Sequence, residues 1–209
     1  DMKKLVIIAA IAVFGITSAN AQEVRIGAKG GVNLATLGGD VENADHRTAF
    51  HLGGLVEIPL SERFAIQPEI LYSAQGAEYE DSGSFAGVPY DYTVTTKLDY
   101  IQVPVMAKVY LVEGLALEAG PQVAFLVNDK YEYDGDLGPF GDSGEGDLNE
   151  NDLSSIDVSL GAGASYRLPM GLFFGARYNF GLGNVNDGAD KDDYKIHNNV
   201  LQASVGYSF

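Results

Sequence analysis

The residues able to move protons near neutral pH are three histidines, His46, His51 and His197. A hydrolase built on one of them also needs a nucleophile and a group to orient the base. No nucleophile signature sits beside any of the three, and the chain has no cysteine. Free, solvated histidine is the commoner state, so no catalytic residue is assigned. Oxygen ligation is the second chemistry on offer. YEYDGDLGPFGDSGEGDLNEND carries Asp134, Asp136, Asp142, Glu145 and Asp147, and NVNDGADKDD carries Asp187, Asp190, Asp192 and Asp193. Clustered carboxylates suit Ca²⁺, but neither stretch has the ligand order and closing glutamate of an EF-hand. Ca²⁺ therefore rests on composition alone, and no other cofactor is indicated. A third set is more regular. Arg25, Lys29, Glu57, Glu69, Lys108, Glu118, Asp157, Arg167 and Arg177 stand among Gly, Ser, Ala, Asn and Gln, always on the same side of an alternating segment.

Those segments are extended strands. Apolar and polar residues alternate with a period of two through 23–35, 50–60, 64–75, 100–111, 115–127, 156–168, 172–182 and 200–209. Three tight turns, 59–63, 112–114 and 169–171, join some of them. Four long polar connections, 35–48, 76–95, 128–154 and 183–198, join the rest. Short turns on one side and long loops on the other predict an all-β fold, an eight-stranded antiparallel up-and-down transmembrane β-barrel. An even strand number puts both ends on the short-turn side, where first and last strands pair and close the sheet. Segments of about 10–12 residues suit a tilted crossing of a bilayer. Aromatics near the segment ends suggest two interfacial girdles: Phe64, Tyr110, Tyr166, Phe173 and Phe174 by the turns, Tyr72, Tyr100, Phe125, Tyr178 and Phe180 toward the loops. Pro68, Pro104 and Pro121 fall inside segments and cannot donate to a ladder, so bulges or interfacial positions are expected there.

Ahead of the strands, MKKLVIIAAIAVFGITSANAQ has two lysines, an apolar run over Leu5–Ile16 and a small-residue site at Ala19–Ala21. This is the pattern of a secretory signal peptide over 1–21, cut after Ala21, leaving a single domain at 22–209. Residues 22–209 hold 28 acidic against 11 basic residues, a net charge of −17. Twenty of the acids lie in the four long connections. Such loops repel nucleic acid. Tyr79, Tyr90, Tyr92, Tyr131 and Tyr133 in the same loops offer a recognition surface for a protein partner.

An eight-stranded barrel is only wide enough for its interior side chains. The nine charged positions are therefore expected to interlock as a polar core, with Arg25, Arg167 and Arg177 bridging Glu57, Glu69, Glu118 and Asp157. The alternative is a narrow ion or small-solute pathway.

GAKGGVNLATLGGD (27–40), DYIQVPVMAKVYL (99–111), GARYNFGL (175–182) and the SVGYSF ending resemble the PorT-like, porin-family small outer-membrane β-barrel proteins. The resemblance implies fold, outer-membrane location and contact with outer-membrane lipid. It implies no shared reaction and no pore. The terminal strand, with Tyr207 and Phe209, resembles the signal that outer-membrane assembly machinery reads. Lipid-modifying enzymes on small barrels use a histidine with Ser or a carboxylate at the outer rim. Of the three histidines, His51 points inward near that rim. The reading is a non-enzymatic integral outer-membrane protein with a structural or surface-interaction role carried by acidic extracellular loops.

Overall fold

The alternating segments hydrogen-bond into nine strands: β1 (Arg25–Gly39), β2 (Arg47–Pro59), β3 (Phe64–Phe85), β4 (Val88–Val112), β5 (Leu115–Leu137), β6 (Phe140–Asp147), β7 (Ile156–Arg167), β8 (Leu172–Gly181) and β9 (Ile196–Ser208). The computed structural model describes residues 24–39, 46–85, 88–137, 140–147, 154–184 and 196–209. The expected signal peptide and Asp187, Asp190, Asp192 and Asp193 lie outside the described residues.

All pairings are antiparallel, in the order β4-β3-β2-β1-β9-β8-β7-β5, and β4 pairs β5 to close the ring. Eight staves thus form the barrel, as the alternation predicts, with first and last strands joined through Gly27↔Ser208 to Gly39↔Ile196. The backbone N–H of Phe209 adds one more bond, to the Ile26 carbonyl at 2.8 Å. Closure leaves these staves no free edge. Their outer face is apolar and exposed: Ile26, Leu52, Ile70, Val105, Leu117 and Val205 stand clear of the protein. A continuous exposed apolar belt is the hydrocarbon-facing surface of a transmembrane barrel.

The three internal prolines do not sit at bulges. The β2–β3 ladder skips the two positions at Gln67 and Pro68 and resumes in the same register. The β3–β4 ladder does the same opposite Pro104, and β4–β5 opposite Pro121. Each proline turns its missing N–H toward one neighbour and still pairs with the other, so the cost is local and no register slips. Three of the expected girdle aromatics also turn inward. Tyr100 is fully buried, the Tyr110 hydroxyl reaches Glu57, and Phe173 lines a lumen void.

Two of the expected loops are largely strand. β3 and β4 keep pairing from Ala77↔Thr96 to Phe85↔Val88. β5 follows β4 out to Asp136 and carries β6 on its far side, from Lys130↔Asp147 to Leu137↔Phe140. The outcome is a four-stranded fin standing beyond the barrel, built from the outer parts of β3, β4 and β5 with β6. Charge and glycine made 76–95 and 128–154 read as loops. Yet EYED, YDYTVTT and KYEYDGD alternate with period two and are rich in Tyr, Thr and Val, which favour strands.

Candidate functional site

Lumen-facing positions come from alternate residues of every stave, and they sort into layers. Nearest the turns, Glu57 binds three donors: Arg25 Nη1 at 2.6 Å, Lys108 Nζ at 2.9 Å and Tyr110 Oη at 2.8 Å. Lys108 also donates to Gln67 Oε1 at 3.1 Å. One layer further in, Arg177 is the hub. Its Nη1 and Nη2 fork onto both oxygens of Glu69 at 3.0 and 2.8 Å, and its Nε donates to Glu118 Oε1 at 2.9 Å. Lys29 Nζ lies 2.8 Å from the Glu69 carboxylate, and Gln67 Nε2 donates to it at 2.7 Å. Arg177, Glu69, Glu118 and Lys29 are all buried. Charges taken out of water persist only when paired and hydrogen-bonded, and here each ion meets at least one of opposite sign.

Seven of the nine charged positions meet in these two layers, and two do not. Arg167 donates to Ser208 Oγ at 2.9 Å and reaches no carboxylate among the described residues. Asp157 is buried nearer the fin, and its Oδ1 finds no hydrogen-bond partner. Asp157 pairs in register with Ala124, far up β7 from the arginines, so stave position and not charge decides its neighbours.

Above the ions lies a belt of amides and hydroxyls. Asn33 Nδ2 donates to Ala74 O at 2.7 Å, Ser73 Oγ at 3.0 Å and Phe50 O at 3.2 Å. Its Oδ1 must therefore accept from His51 Nδ1, 2.7 Å away. With that nitrogen protonated, His51 Nε2 accepts from Ser204 Oγ at 2.9 Å. A serine–histidine–amide chain is therefore present, which sequence reading missed because Ser204 is 153 residues from His51. Only barrel closure brings β9 beside β1 and so within reach of β2. A mouth of about 870 Å³ opens at the turn end among Arg25, Tyr110 and Arg167. Further in, two voids that share Gln67, Lys108, Ser165 and Phe173 in their walls measure about 10 and 20 Å³. Each of these two has room for about one water and none for a substrate. At the fin end, buried Leu98, Tyr100 and Ala124 pack with Leu37, Leu126 and Ile196 as an apolar cap.

The fin is two-faced. Directly paired residues share a face. Tyr79, Val94, Tyr133 and Gly144 form one row, and Thr96, Tyr131 and Gly146 another, with Tyr90 and Tyr92 on the same side. The opposite face carries Glu78, Thr95, Glu132 and Glu145 in one row and Glu80, Thr93, Asp134 and Ser143 in the next. Lys97 also lies there, paired with Glu132. Of the Ca²⁺ candidates, Asp134, Asp136 and Glu145 lie on the acidic face and Asp142 on the tyrosine face, while the side chain of Asp147 is outside the described residues. Among the described residues no three carboxylates or imidazoles gather as a cation site. His46 is exposed, and His197 Nδ1 bonds the Gly183 carbonyl at 2.9 Å.

The family profile described as outer membrane protein beta-barrel domain matches residues 20–187. Among solved structures, Ail, the attachment invasion locus protein of Yersinia pestis, superposes with a TM-score of 0.50 at 11% identity, covering 90% of this chain and 100% of that one. Neisserial surface protein A gives 0.45 at 11% identity, covering 91% and 100%. At 11% identity the likeness to Ail is one of fold. A search of curated proteins gave no match.

Proposed function

As the chain belongs to the outer membrane protein beta-barrel domain family, and so resides in the outer membrane of a Gram-negative-type cell, we propose that it is a non-enzymatic, sealed barrel that displays its fin outside the cell. The observation that carries this reading is the contrast between a filled lumen and a projecting sheet. Inside an open mouth of about 870 Å³ at the turn end, lined by Arg25, Tyr110 and Arg167, the voids beside the Arg177 hub measure about 10 and 20 Å³, and Leu98 and Tyr100 cap the other end. The fin continues the β3–β4 and β4–β5 ladders beyond the ring, and β6 pairs there with β5 alone. The hydrogen-bonded Ser204–His51–Asn33 chain has no space before it for a substrate, which supports a positioning role for His51. The motifs at 27–40, 99–111 and 175–182 support a finer placement among PorT-like barrels.

Planar-bilayer recording tests the seal. The purified barrel is expected to show no steady openings. A variant with 77–96 and 130–147 each cut to a short Asn-Gly turn is expected to stay silent and to keep its heat-modifiable band on a gel. Steady openings of the parent protein would overturn the sealed reading. Loss of the folded band in the shortened form would show the fin to be part of the scaffold, and not a displayed module.

The end of β9 gives a second expectation. Phe209 is 80% exposed at the turn end, with its ring edge-on to Tyr207 at 5.1 Å. Its side chain adds little packing, so its weight falls on recognition by the assembly machinery and on anchoring at the periplasmic interface. Deleting Phe209 is expected to lower the amount in the outer membrane several-fold in cells, while refolding into lipid vesicles in vitro changes little. Equal losses in both settings would assign the residue to stability instead.

A further inference from the structure

The tyrosine face of the fin is a flat aromatic platform. A Cβ at Gly144 would lie 2.6 Å from the Tyr133 hydroxyl, one at Gly146 2.6 Å from that of Tyr131, and one at Gly83 2.8 Å from that of Tyr90. The hydroxyl ends of these rings therefore reach over glycines of the neighbouring strand, where no side chain competes for the space. Tyr79, Tyr92 and Tyr131 are 43%, 41% and 36% exposed, and tyrosine is enriched at interfaces because it pairs an apolar ring with a polar tip. Asp81 and Asp142 stand on this same face in the Tyr92 row, one on each side. Tyr90 Oη donates to Asp81 Oδ2 at 3.4 Å. No lysine or arginine occurs on this face among the described residues, because Lys97 and Lys130 point to the other one.

Exposed ring faces beside carboxylates, with no competing cation, suit one chemistry. A guanidinium stacks on a tyrosine face and meets a carboxylate at its edge. Polyanions are repelled by the same surface. Alternate residues of an extended peptide repeat at about 6.8 Å along a strand, the same spacing as Tyr131 and Tyr133 on β5 or Tyr90 and Tyr92 on β4. We propose that the tyrosine face of the fin binds an extended, arginine-bearing peptide segment of a partner protein. This rests on the surface-display reading and names the partner chemistry of that surface.

The test uses the full barrel in detergent micelles at 0.15 M salt, where charges beyond about 8 Å are screened. The probe is a fluorescein-labelled (Arg-Gly)₄ peptide read by anisotropy, with (Gln-Gly)₄ and (Glu-Gly)₄ as controls. Only the arginine peptide is expected to bind. Tyr79→Ala, Tyr92→Ala and Tyr131→Ala together are expected to weaken it about thirtyfold, roughly threefold per ring. The three Phe substitutions should keep affinity within about threefold, since the ring face is retained. Asp81→Asn with Asp142→Asn should weaken binding about tenfold. Glu78→Gln, Glu80→Gln and Glu132→Gln on the opposite face should change it less than about threefold. The heat-modifiable band checks that every variant is folded. Equal losses from the two faces, an unchanged triple Ala variant, no binding by the parent, or equal binding of (Gln-Gly)₄ would each overturn the proposal. The sealed, displayed barrel is judged separately, by the bilayer recording and by the folded band of the shortened form. A silent barrel that ignores the arginine peptide would refute only the partner chemistry.

Discussion

Arg177→Met is expected to cost the folded barrel about 3–5 kcal/mol, the range for breaking a buried ion pair from one side. Arg177 is 4% exposed and is the only side chain bonded to both Glu69 and Glu118 among the described residues. Its removal leaves two buried carboxylates, of which Glu69 keeps Lys29 and Glu118 keeps no ion pair among the described residues. Methionine keeps the length and loses every donor, so the loss is one of compensation more than of volume. Adding Glu118→Gln to Arg177→Met should recover about 1–3 kcal/mol, because one uncompensated charge is then gone. Arg25→Met is the contrast. Its side chain is about a third exposed, and Glu57 keeps Lys108 and Tyr110 after its loss. About 1 kcal/mol or less is expected there. Urea unfolding in lipid vesicles, followed by the heat-modifiable band, measures all four proteins. A cost below about 1 kcal/mol for Arg177→Met would show that the hub does not hold the staves together.

Gly53→Ala is expected to be nearly as damaging, and Gly54→Ala close to neutral. A Cβ at Gly53 would sit 2.0 Å from the Ile70 carbonyl oxygen, and that neighbour is backbone of β3 with no side chain to swing away. A Cβ at Gly54 would meet nothing nearer than the Gly27 carbonyl at 3.7 Å. The two positions are adjacent, lie in the same strand and differ only in face. Gly53 is on the lumen side, where the strongly curved sheet brings the next strand over it. Moving β3 aside would open the ladder at Leu71 and disturb the layer above Glu69. About 3 kcal/mol is expected for Gly53→Ala and about 0.5 kcal/mol or less for Gly54→Ala, from the general cost of overpacking. The same unfolding assay separates them. Equal behaviour of the two variants would mean that these glycines only make room for long lumen side chains.

Much of the barrel was legible because its physics is local. Side chains of a strand alternate whatever lies beside it, so the inward positions of Lys29, Glu57, Glu69, Glu118 and Arg177 follow from parity alone. Short turns against long connections gave strand number and closure. Partners within the lumen were less legible. Asp157 and Arg177 both face inward, but their heights differ, and height depends on the register between staves. The Ser204–His51–Asn33 chain was invisible for the same reason, since β1, β2 and β9 converge only when the ring closes.

The fin marks the boundary between the two kinds of information. Along β5 a strict alternation would put Tyr131 and Tyr133 on the side of Phe125, with the acids of the neighbouring strands. Between Asp99 and Tyr100 the β4–β5 register shifts, so that Tyr100 faces Leu126 while Asp99 faces Asn128. The extra residue, Val127, reverses the parity beyond it. Tyr131 and Tyr133 thereby join Tyr79, Tyr90 and Tyr92, and Glu132 and Asp134 join Glu78 and Glu80. Sequence by itself determined that the eight barrel segments are strands, that they close as eight staves and which ions point inward, because period and length need no partner. Only the tertiary structure decided which tyrosines share a face and which ions meet, because one inserted residue between paired strands is a property of the pair and not of either strand.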